Sequence, residues 1–308
     1  MANQREGMVQ IHMQWKFILG TIAMPLAAGV YALSASSTLG GSTPHLPKPE
    51  HIVMVIEENH SYSQIIDSPD APYINSLATQ GAVFTQSYGV TYPSQPNYLA
   101  LFSGSTQGIT DNSCPHTFTT PNLGHALLAA GLTFAGYSED LPSVGSLTCS
   151  VGLYARKHNP WVNWQDSVIN GLPPTANLPM TSFPTDYSRL PTVSVIVPSQ
   201  VNDMHHGKDP DTIHTGDRWL QEHLETYVQW AQQHNSLLIV TWDEDNKKEN
   251  NRIATLFVGP MVQAGRYDQR ITHDNVLRTI EDLYGLSHAG TSADAAPIAR
   301  IWKIPPRS

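Results

Sequence analysis

Several short apolar runs, rich in β-branched residues, end abruptly in polar residues, and this pattern constrains the fold most. Three of them are "HIVMVIEEN" (residues 51–59), "TVSVIVPSQVNDMHHG" (192–207) and "SLLIVTWDEDN" (236–246). A fourth, "ATLFVGP" (254–260), has no polar tail. Continuous apolar runs of this length are typical of strands that are buried on both faces of a sheet. The polar tails then mark the points where strands emerge at the sheet edge.

Helical patterns lie between these strands. Apolar residues recur at three- and four-residue spacing in residues 71–81, 122–131, 215–234 and 273–285. Strands that alternate with helices predict an α/β fold, a three-layer sandwich with a mostly parallel central sheet. Ligands of such sheets bind beyond the carboxyl ends of the strands. Residues 142–190 show no clear period and are rich in Pro, Trp and Asn, so we expect a lid or a long excursion over that crevice.

The amino-terminal residues differ from the rest. Lys16 precedes the apolar run "FILGTIAMPLAAGVYAL", which ends in small residues, a pattern typical of a secretory signal peptide over residues 1–35. The alternative is a retained membrane anchor, since the run is nearly long enough to span a bilayer. Residues 36–50 are predicted to form a flexible spacer, and residues 51–308 the folded domain. This organisation predicts a secreted, periplasmic or cell-surface protein without stable membrane insertion after cleavage.

Cysteine usage and charge fit an exported protein. The chain has two cysteines, Cys114 and Cys149, and in an oxidising compartment these are expected to form a disulfide. Two buried free thiols are the alternative. Charged residues make up 14% of the 308 residues, the net charge is −9, and there is no block of like charges. This composition argues against nucleic acid as a partner.

Several familiar catalytic motifs are missing from the sequence. There is no G-x-S-x-G elbow, Walker loop, H-E-x-x-H motif or paired C-x-x-C, and "DEDNKKEN" lacks the glycine of a calcium loop. What remains is a set of oxygen- and nitrogen-bearing side chains in the strand tails and one turn. The set contains Glu57, Glu58, Asn59, Ser94, Asn97, Asn202, Asp203, His205, His206, Asp243, Glu244 and His273. Carboxylates with an amide and a hydroxyl suit a divalent cation, which could help a serine to attack phosphorus.

The ordered motifs resemble a known family. "EENHSY", "YPSQPNYLALFSG", "NDMH", "GDRWL", "TWDE", "FVGP" and "HDNVLRTIEDLYGL" are similar to those of the bacterial phosphoesterase family of secreted acid phosphatases and phospholipases C. That family belongs to the alkaline-phosphatase-like superfamily. The resemblance covers roughly residues 51–286 and implies that residues 51–308 form a phosphoesterase catalytic domain.

The resemblance also implies roles for individual residues. The metal ligands would be Glu58, Asn59, Ser94, Asp243 and Glu244, binding one or more divalent ions of unspecified identity. Ser94 would be the nucleophile, and Asn97 would bind a phosphate oxygen. His205 and His273 would lie near the phosphate, where they could stabilise charge or protonate the leaving oxygen. His205 is thereby both a catalytic and a substrate-binding candidate.

Alternatives remain open for the serine and for the substrate. Ser94 precedes an apolar helical run, so it could cap that helix, and capping is compatible with nucleophilic attack. The chain lacks a long extension after its last predicted helix, which favours a phosphomonoesterase acting on a small phosphorylated substrate. A phospholipase C would use Trp161 and Trp164 as an apolar lip. A non-catalytic surface-binding protein of the same fold is the third reading.

Overall fold

The computed structural model describes residues 46–303, in which strands and helices alternate along the chain. The strands are β1 (His51–Glu57), β2 (Ala82–Tyr88), β3 (Phe134–Ser138), β4 (Ser150–Val151), β5 (Tyr154–Ala155), β6 (Asn177–Pro179), β7 (Val193–Val197), β8 (Ser236–Trp242), β9 (Arg252–Ile253), β10 (Thr255–Val258) and β11 (Gly265–Thr272). The α-helices are α1 (Tyr62–Ile65), α2 (Pro72–Gln80), α3 (Ser94–Ser103), α4 (Leu123–Ala129), α5 (Asp211–Ala231) and α6 (His273–Tyr284). Short 3-10 helices span Arg156–His158, Pro160–Trp164, Pro174–Ala176, Met180–Ser182, Tyr187–Arg189 and Gly290–Asp294.

Strand β1 lies inside a sheet with the order β11-β2-β10-β8-β1-β7-β3-β6, and β9 pairs with β2. The pairs β8-β1, β1-β7, β7-β3, β3-β6 and β2-β11 are parallel. Strand β10 runs antiparallel to both β8 and β2, and β9 is antiparallel to β2. All four strands expected from the apolar runs are present in this sheet. The prediction of an α/β fold with a mostly parallel central sheet is confirmed.

The sheet divides the core into two apolar layers. Alternate residues of β1 point to opposite faces, so Ile52, Met54 and Ile56 pack in one layer while Val53 and Val55 pack in the other. The first layer also contains apolar side chains of α3, α4 and α6, and the second contains those of α2 and α5. Helices therefore cover both faces of the sheet, which explains why its central strands are apolar throughout.

The strand order brings the polar tails together. Strands β8, β1 and β7 are parallel neighbours, so their carboxyl ends lie at the same edge of the sheet. The residues that follow them are therefore close in space although they are far apart in sequence. In this way the fold creates a polar site from three separate segments.

Residues 142–190 form a long excursion of short strands and 3-10 helices, part of which packs into the core. Trp161 and Trp164 are fully buried, and Trp161 packs against β3 at Gly136, where an added Cβ would lie 2.1 Å from the indole. Each indole N–H is bonded, that of Trp161 to Asn177 Oδ1 at 2.9 Å and that of Trp164 to the Thr120 carbonyl at 2.8 Å. These tryptophans therefore do not form the apolar lip that the phospholipase C alternative would need, because both rings are buried in the core.

A disulfide joins Cys114 to Cys149, as predicted, and connects the loop before α4 to the 142–190 segment. The predicted signal peptide lies outside the described residues, as does most of the predicted spacer. Contacts with the domain begin before His51, because the Asn235 amide donates to the Lys48 carbonyl and the Glu50 N–H donates to the Asn235 carbonyl. Within residues 46–303, no helix combines the length and apolarity needed to cross a membrane.

Candidate active site

Ser94 is the first residue of α3, and its hydroxyl points at carboxylates. The hydroxyl donates to Glu58 Oε2 at 3.1 Å and lies 3.3 Å from Glu244 Oε1, and the residue is only 2% exposed. The prediction that Ser94 caps this helix is wrong, because Ser94 is the first helical residue and the N-cap residue is Pro93. The hydroxyl is directed into the site instead.

Asn97 holds the turn that carries Ser94. Its Oδ1 accepts the N–H groups of Val90 and Thr91 at 2.9 and 3.0 Å. Its Nδ2 donates to the carbonyls of Thr91 and Pro93 at 2.9 and 3.2 Å, and lies 3.5 Å from Glu244 Oε2. The fully buried amide thus fixes the backbone on which the serine sits. Its role in binding a phosphate oxygen stays a prediction.

The carboxylates of Asp243 and Glu244 come directly after β8, which ends at Trp242. Adjacent residues on a strand would point to opposite faces, so both can approach one site only because the strand has already ended. The Asn59 N–H, from a residue in the left-handed region (φ 53°), donates to Asp243 Oδ1 at 3.3 Å. The tails of β1 and β8 are thus linked directly at the site.

His158 and Asp203 complete a second group of ligand atoms around Glu58. His158 Nε2 lies 3.0 Å from Glu58 Oε1, and His158 Nδ1 lies 3.5 Å from Asp203 Oδ2. One ligand atom from each of the three residues lies within 4.8 Å of the other two, and all three residues are buried. Tyr98 of α3 stacks on the imidazole at 5.1 Å between ring centroids and fixes its plane.

A divalent cation fits this donor set. Buried polar atoms are normally hydrogen-bonded, yet five of the buried side-chain atoms that have no hydrogen-bond partner within the described residues belong to the residues of this site. They are Glu58 Oε1, Asn59 Oδ1, Asp203 Oδ2, Asp243 Oδ2 and His158 Nε2. Four are oxygen acceptors and the fifth is an imidazole nitrogen, so this set matches the requirements of a cation such as Zn²⁺ or Mn²⁺. Glu58 is common to this group and to the carboxylates around Ser94.

The pKa shifts of the carboxylates also indicate that a cation would stabilise the site. Burial would raise the pKa of Glu58, but the charge and contact of His158 outweigh burial and lower it to about 2. Burial and then the charge of Glu58 raise the pKa of Asp243 well above its usual range and that of Glu244 to about 7. Several carboxylates that share a buried site resist simultaneous ionisation unless a cation joins them.

The two predicted histidines lie at the border of the site. His273, the first residue of α6, donates from Nε2 to the Asp243 carbonyl at 2.7 Å, and burial lowers its pKa. His205 is half-buried, with its ring 5.9 Å from that of His158, and burial lowers its pKa to about 4. His273 therefore supports the backbone of a carboxylate residue, while His205 lies beside the triad. Their catalytic roles stay predictions.

Two further residues of the strand tails have no hydrogen bond to Ser94 within the described residues. Glu57 points to the same face of β1 as Val53 and Val55 and is fully buried. Neither of its carboxylate oxygens is hydrogen-bonded within residues 46–303. His206 is exposed and contacts His205, with 3.1 Å between their Nδ1 atoms. We assign neither to the site.

Sequence patterns did not identify His158 as a site residue. It lies in a 3-10 turn inside the aperiodic 142–190 segment, so no periodicity directs attention to it. Asp203 was in the oxygen-rich set but could equally have oriented a neighbouring histidine. The signal that assembles the triad is the parallel pairing of β1 with β7, which a single sequence does not display.

Comparison with known proteins agrees with this geometry. A family model described as the phosphoesterase family matches residues 64–287. The chain is 47% identical over 288 residues to a Mycobacterium tuberculosis protein named phosphatidylinositol-3-phosphatase, covering 92% of this chain and 93% of that one. It is 28% identical over 244 residues to an acid phosphatase of Aspergillus fumigatus, covering 73% of this chain and 53% of the fungal protein.

Solved structures support the fold. A protein of the alkaline phosphatase superfamily from Vibrio parahaemolyticus superimposes with a TM-score of 0.55 at 14% identity, covering 83% of this chain and 72% of that one. A phosphonate monoester hydrolase of Agrobacterium radiobacter gives a TM-score of 0.51 at 12% identity, covering 83% and 79%. At such identities the likeness concerns the fold alone, and it agrees with the α/β architecture. The family match and the relative that is 47% identical show that the chain is a phosphate-ester hydrolase and belongs to the phosphoesterase family.

Proposed function

We propose that the protein is a metal-dependent phosphomonoesterase that works through a phosphoserine intermediate on Ser94. The observation that carries this proposal is the direction of the Ser94 hydroxyl, which is buried and aimed at Glu58 and Glu244. A serine held only for folding would satisfy its hydroxyl on the backbone of its own helix, as Ser103 does on the Leu99 carbonyl at 2.7 Å.

The reaction consists of two displacements at phosphorus. Ser94 Oγ gives up its proton and forms a bond to phosphorus while the bond from phosphorus to the ester oxygen breaks, and the departing alkoxide takes up a proton to leave as the alcohol. Water then attacks the phosphoserine, which releases inorganic phosphate and restores the hydroxyl. Glu58 and Glu244 orient the Oγ lone pair, and the positive end of the α3 dipole faces the charge that develops on the serine oxygen.

The residues Glu58, Asn59, Ser94, Asp243 and Glu244 would hold a divalent ion, together with His158 and Asp203 from the triad. When bound, the ion supplies positive charge that favours ionised serine and polarises the phosphoryl oxygen. The chain's own part is to place these ligands rigidly. The turn fixed by Asn97 and the ring of His158 stacked on Tyr98 do this.

We favour a phosphomonoester over the diester of a phospholipase C, because the relatives reported above are named as phosphatases. A relative that is 47% identical carries the name phosphatidylinositol-3-phosphatase, so we include phosphoinositide monoesters among the substrates. The reading as a non-catalytic surface-binding protein loses its support, because the relatives reported above are named as phosphatases.

We also propose that the protein is exported. The disulfide between Cys114 and Cys149 fits an oxidising compartment, and the apolar run after Lys16 has the pattern of a signal peptide.

The substrate class is tested by comparing two chromogenic esters. Purified protein should hydrolyse p-nitrophenyl phosphate faster than p-nitrophenyl phosphorylcholine, and a chelator should abolish both activities until a divalent ion is restored. The phosphorylcholine compound is the diester control with the same leaving group. Faster turnover of the diester would replace the phosphomonoesterase assignment with phospholipase C.

A further inference from the structure

We propose that an aliphatic surface beside the site docks the protein onto anionic phospholipid bilayers, so that the scissile phosphate comes from a lipid headgroup. This surface, here called the hairpin patch, consists of Leu147, Val151 and Leu153, with Lys157 at its border. The proposal deepens the proposed function: its hydrolysis measurements rest on that function, whereas its membrane-binding measurements do not.

Exposed aliphatic residues are concentrated in one part of the described chain. Within residues 46–303, all six large apolar side chains that are exposed lie between residues 144 and 169. They are Val144, Leu147, Val151, Leu153, Val168 and Ile169. Scattered single residues of this kind need no explanation, but a local concentration indicates an interaction surface.

The three residues of the hairpin patch are held together around Arg156. Val151 lies on β4 and pairs with Tyr154 of β5, so Leu153 is at the tip of this short hairpin. Arg156 donates from Nη1 to the Leu147 carbonyl at 3.0 Å and from its backbone N–H to the Cys149 carbonyl at 2.9 Å. The disulfide at Cys149 anchors the same segment. The patch is therefore a fixed surface with 38% to 49% of each side chain exposed.

The hairpin patch adjoins the site from two directions. Strand β5 runs directly into the 3-10 turn that carries His158. The Leu153 carbonyl accepts the N–H of Gln200 at 3.1 Å, and Gln200 belongs to the loop that carries Asp203 and His205. A bilayer in contact with the hairpin would therefore lie close to the residues that surround the reacting phosphate.

The segment that carries the patch has no acidic side chain. Residues 141–165 contain no Asp or Glu, although the net charge of the whole chain is −9. Lys157 is half-buried and has no ion-pair partner within the described residues, and its charge acts on Glu58 and Glu244. Exposed aliphatic groups beside a lysine, on a segment without carboxylates, suit the interface of an anionic bilayer, whereas a bulk charge of −9 would repel it.

Vesicle sedimentation tests the docking surface. The full chain is mixed with vesicles of four parts phosphatidylcholine to one part phosphatidylserine, and with vesicles of phosphatidylcholine alone. We expect the wild-type protein to prefer the anionic vesicles and to bind them less at high salt, because salt screens the attraction of Lys157. The triple variant Leu147→Ser, Val151→Ser, Leu153→Ser should bind about tenfold less, since three aliphatic insertions are lost.

A matched control is available on the same segment. The double variant Val168→Ser, Ile169→Ser also removes exposed aliphatic side chains, 94% and 58% exposed, but these lie outside the hairpin patch. It should bind vesicles as the wild type does. Equal binding of the triple variant and the wild type would overturn the proposal. Equal binding of the wild type to anionic vesicles and to vesicles of phosphatidylcholine alone would also overturn it. If the patch binds a protein partner instead, the wild type should bind neither type of vesicle, and that result would also overturn the proposal.

Hydrolysis separates this proposal from the proposed function. The triple variant should retain wild-type turnover of soluble p-nitrophenyl phosphate but lose about tenfold on phosphatidylinositol 3-phosphate carried in the anionic vesicles. Vesicle binding without turnover of either ester would refute the phosphomonoesterase and leave the docking surface standing. Turnover of both esters at wild-type rates by the triple variant would refute the docking surface and leave the phosphomonoesterase standing.

Discussion

Replacing His158 by Gln should weaken divalent-metal binding by at least about 100-fold, because the triad loses one of its three ligand residues. Loss of an outer partner of a metal ligand typically costs 10- to 100-fold, so loss of a ligand should lie at or beyond the upper end. A 100-fold change corresponds to about 2.7 kcal/mol of binding free energy. In addition, the variant lacks the imidazole that lowers the pKa of Glu58 to about 2, so protons would compete better with the metal ion for the Glu58 carboxylate.

The assay is calorimetric titration of chelator-treated protein with Mn²⁺ and with Zn²⁺, together with metal analysis after dialysis. His206→Gln is the matched control, because His206 is exposed at the same edge of the sheet and belongs to neither ligand group. It should bind metal as the wild type does. If His158→Gln bound both ions within about threefold of wild type, the imidazole would not be a ligand and the reasoning from unbonded buried atoms would fail.

Three further predictions concern stability. Asp217 accepts two N–H groups at the start of α2 at 2.8 and 3.0 Å, so Asp217→Ala should lower the free energy of unfolding in urea by about 2–5 kcal/mol, and Asp217→Asn by about half as much. Replacing Cys114 and Cys149 together by Ser should cost about 4 kcal/mol in the same assay, as expected for a bridge across 35 residues, and no change would contradict this. Burial raises the pKa of Glu281, so the wild type should lose stability relative to Glu281→Gln as the pH rises from about 4 through the raised pKa. A constant difference between the two proteins at every pH would exclude that titration.

The central sheet could be predicted because its strands carry a local signal. The apolar runs that became β1, β7, β8 and β10 are continuous, and their polar tails mark the sheet edge. Strands β2 and β11 lack such runs: β11 alternates exposed and half-buried residues at the sheet edge, so its sequence resembles a loop. These strands form through pairing with neighbours that are distant in sequence, and single-sequence patterns do not report such pairing.

The residues of the candidate site also fall into two groups, those that a local sequence motif places and those that depend on packing between distant segments. Ser94, Glu58, Asp243 and Glu244 were found because motifs place them, and the structure brings them together. His158 was not found, since its position depends on how the 142–190 segment packs. The same packing explains why Trp161 and Trp164 are core residues and do not form a lip. Large aromatic residues in an aperiodic segment suit a surface lip and a core equally well until Gly136 is seen to make room for an indole.

The claim that Ser94 carries the reaction is tested most directly by the turnover of p-nitrophenyl phosphate by Ser94→Ala, compared with wild type at matched metal content. Ser103→Ala is the control, because Ser103 lies on the same helix and bonds only within its own segment. The account predicts a loss of at least about 1,000-fold for Ser94→Ala, as for removal of other serine nucleophiles, and little change for the control. Wild-type turnover by Ser94→Ala would contradict the phosphoserine mechanism.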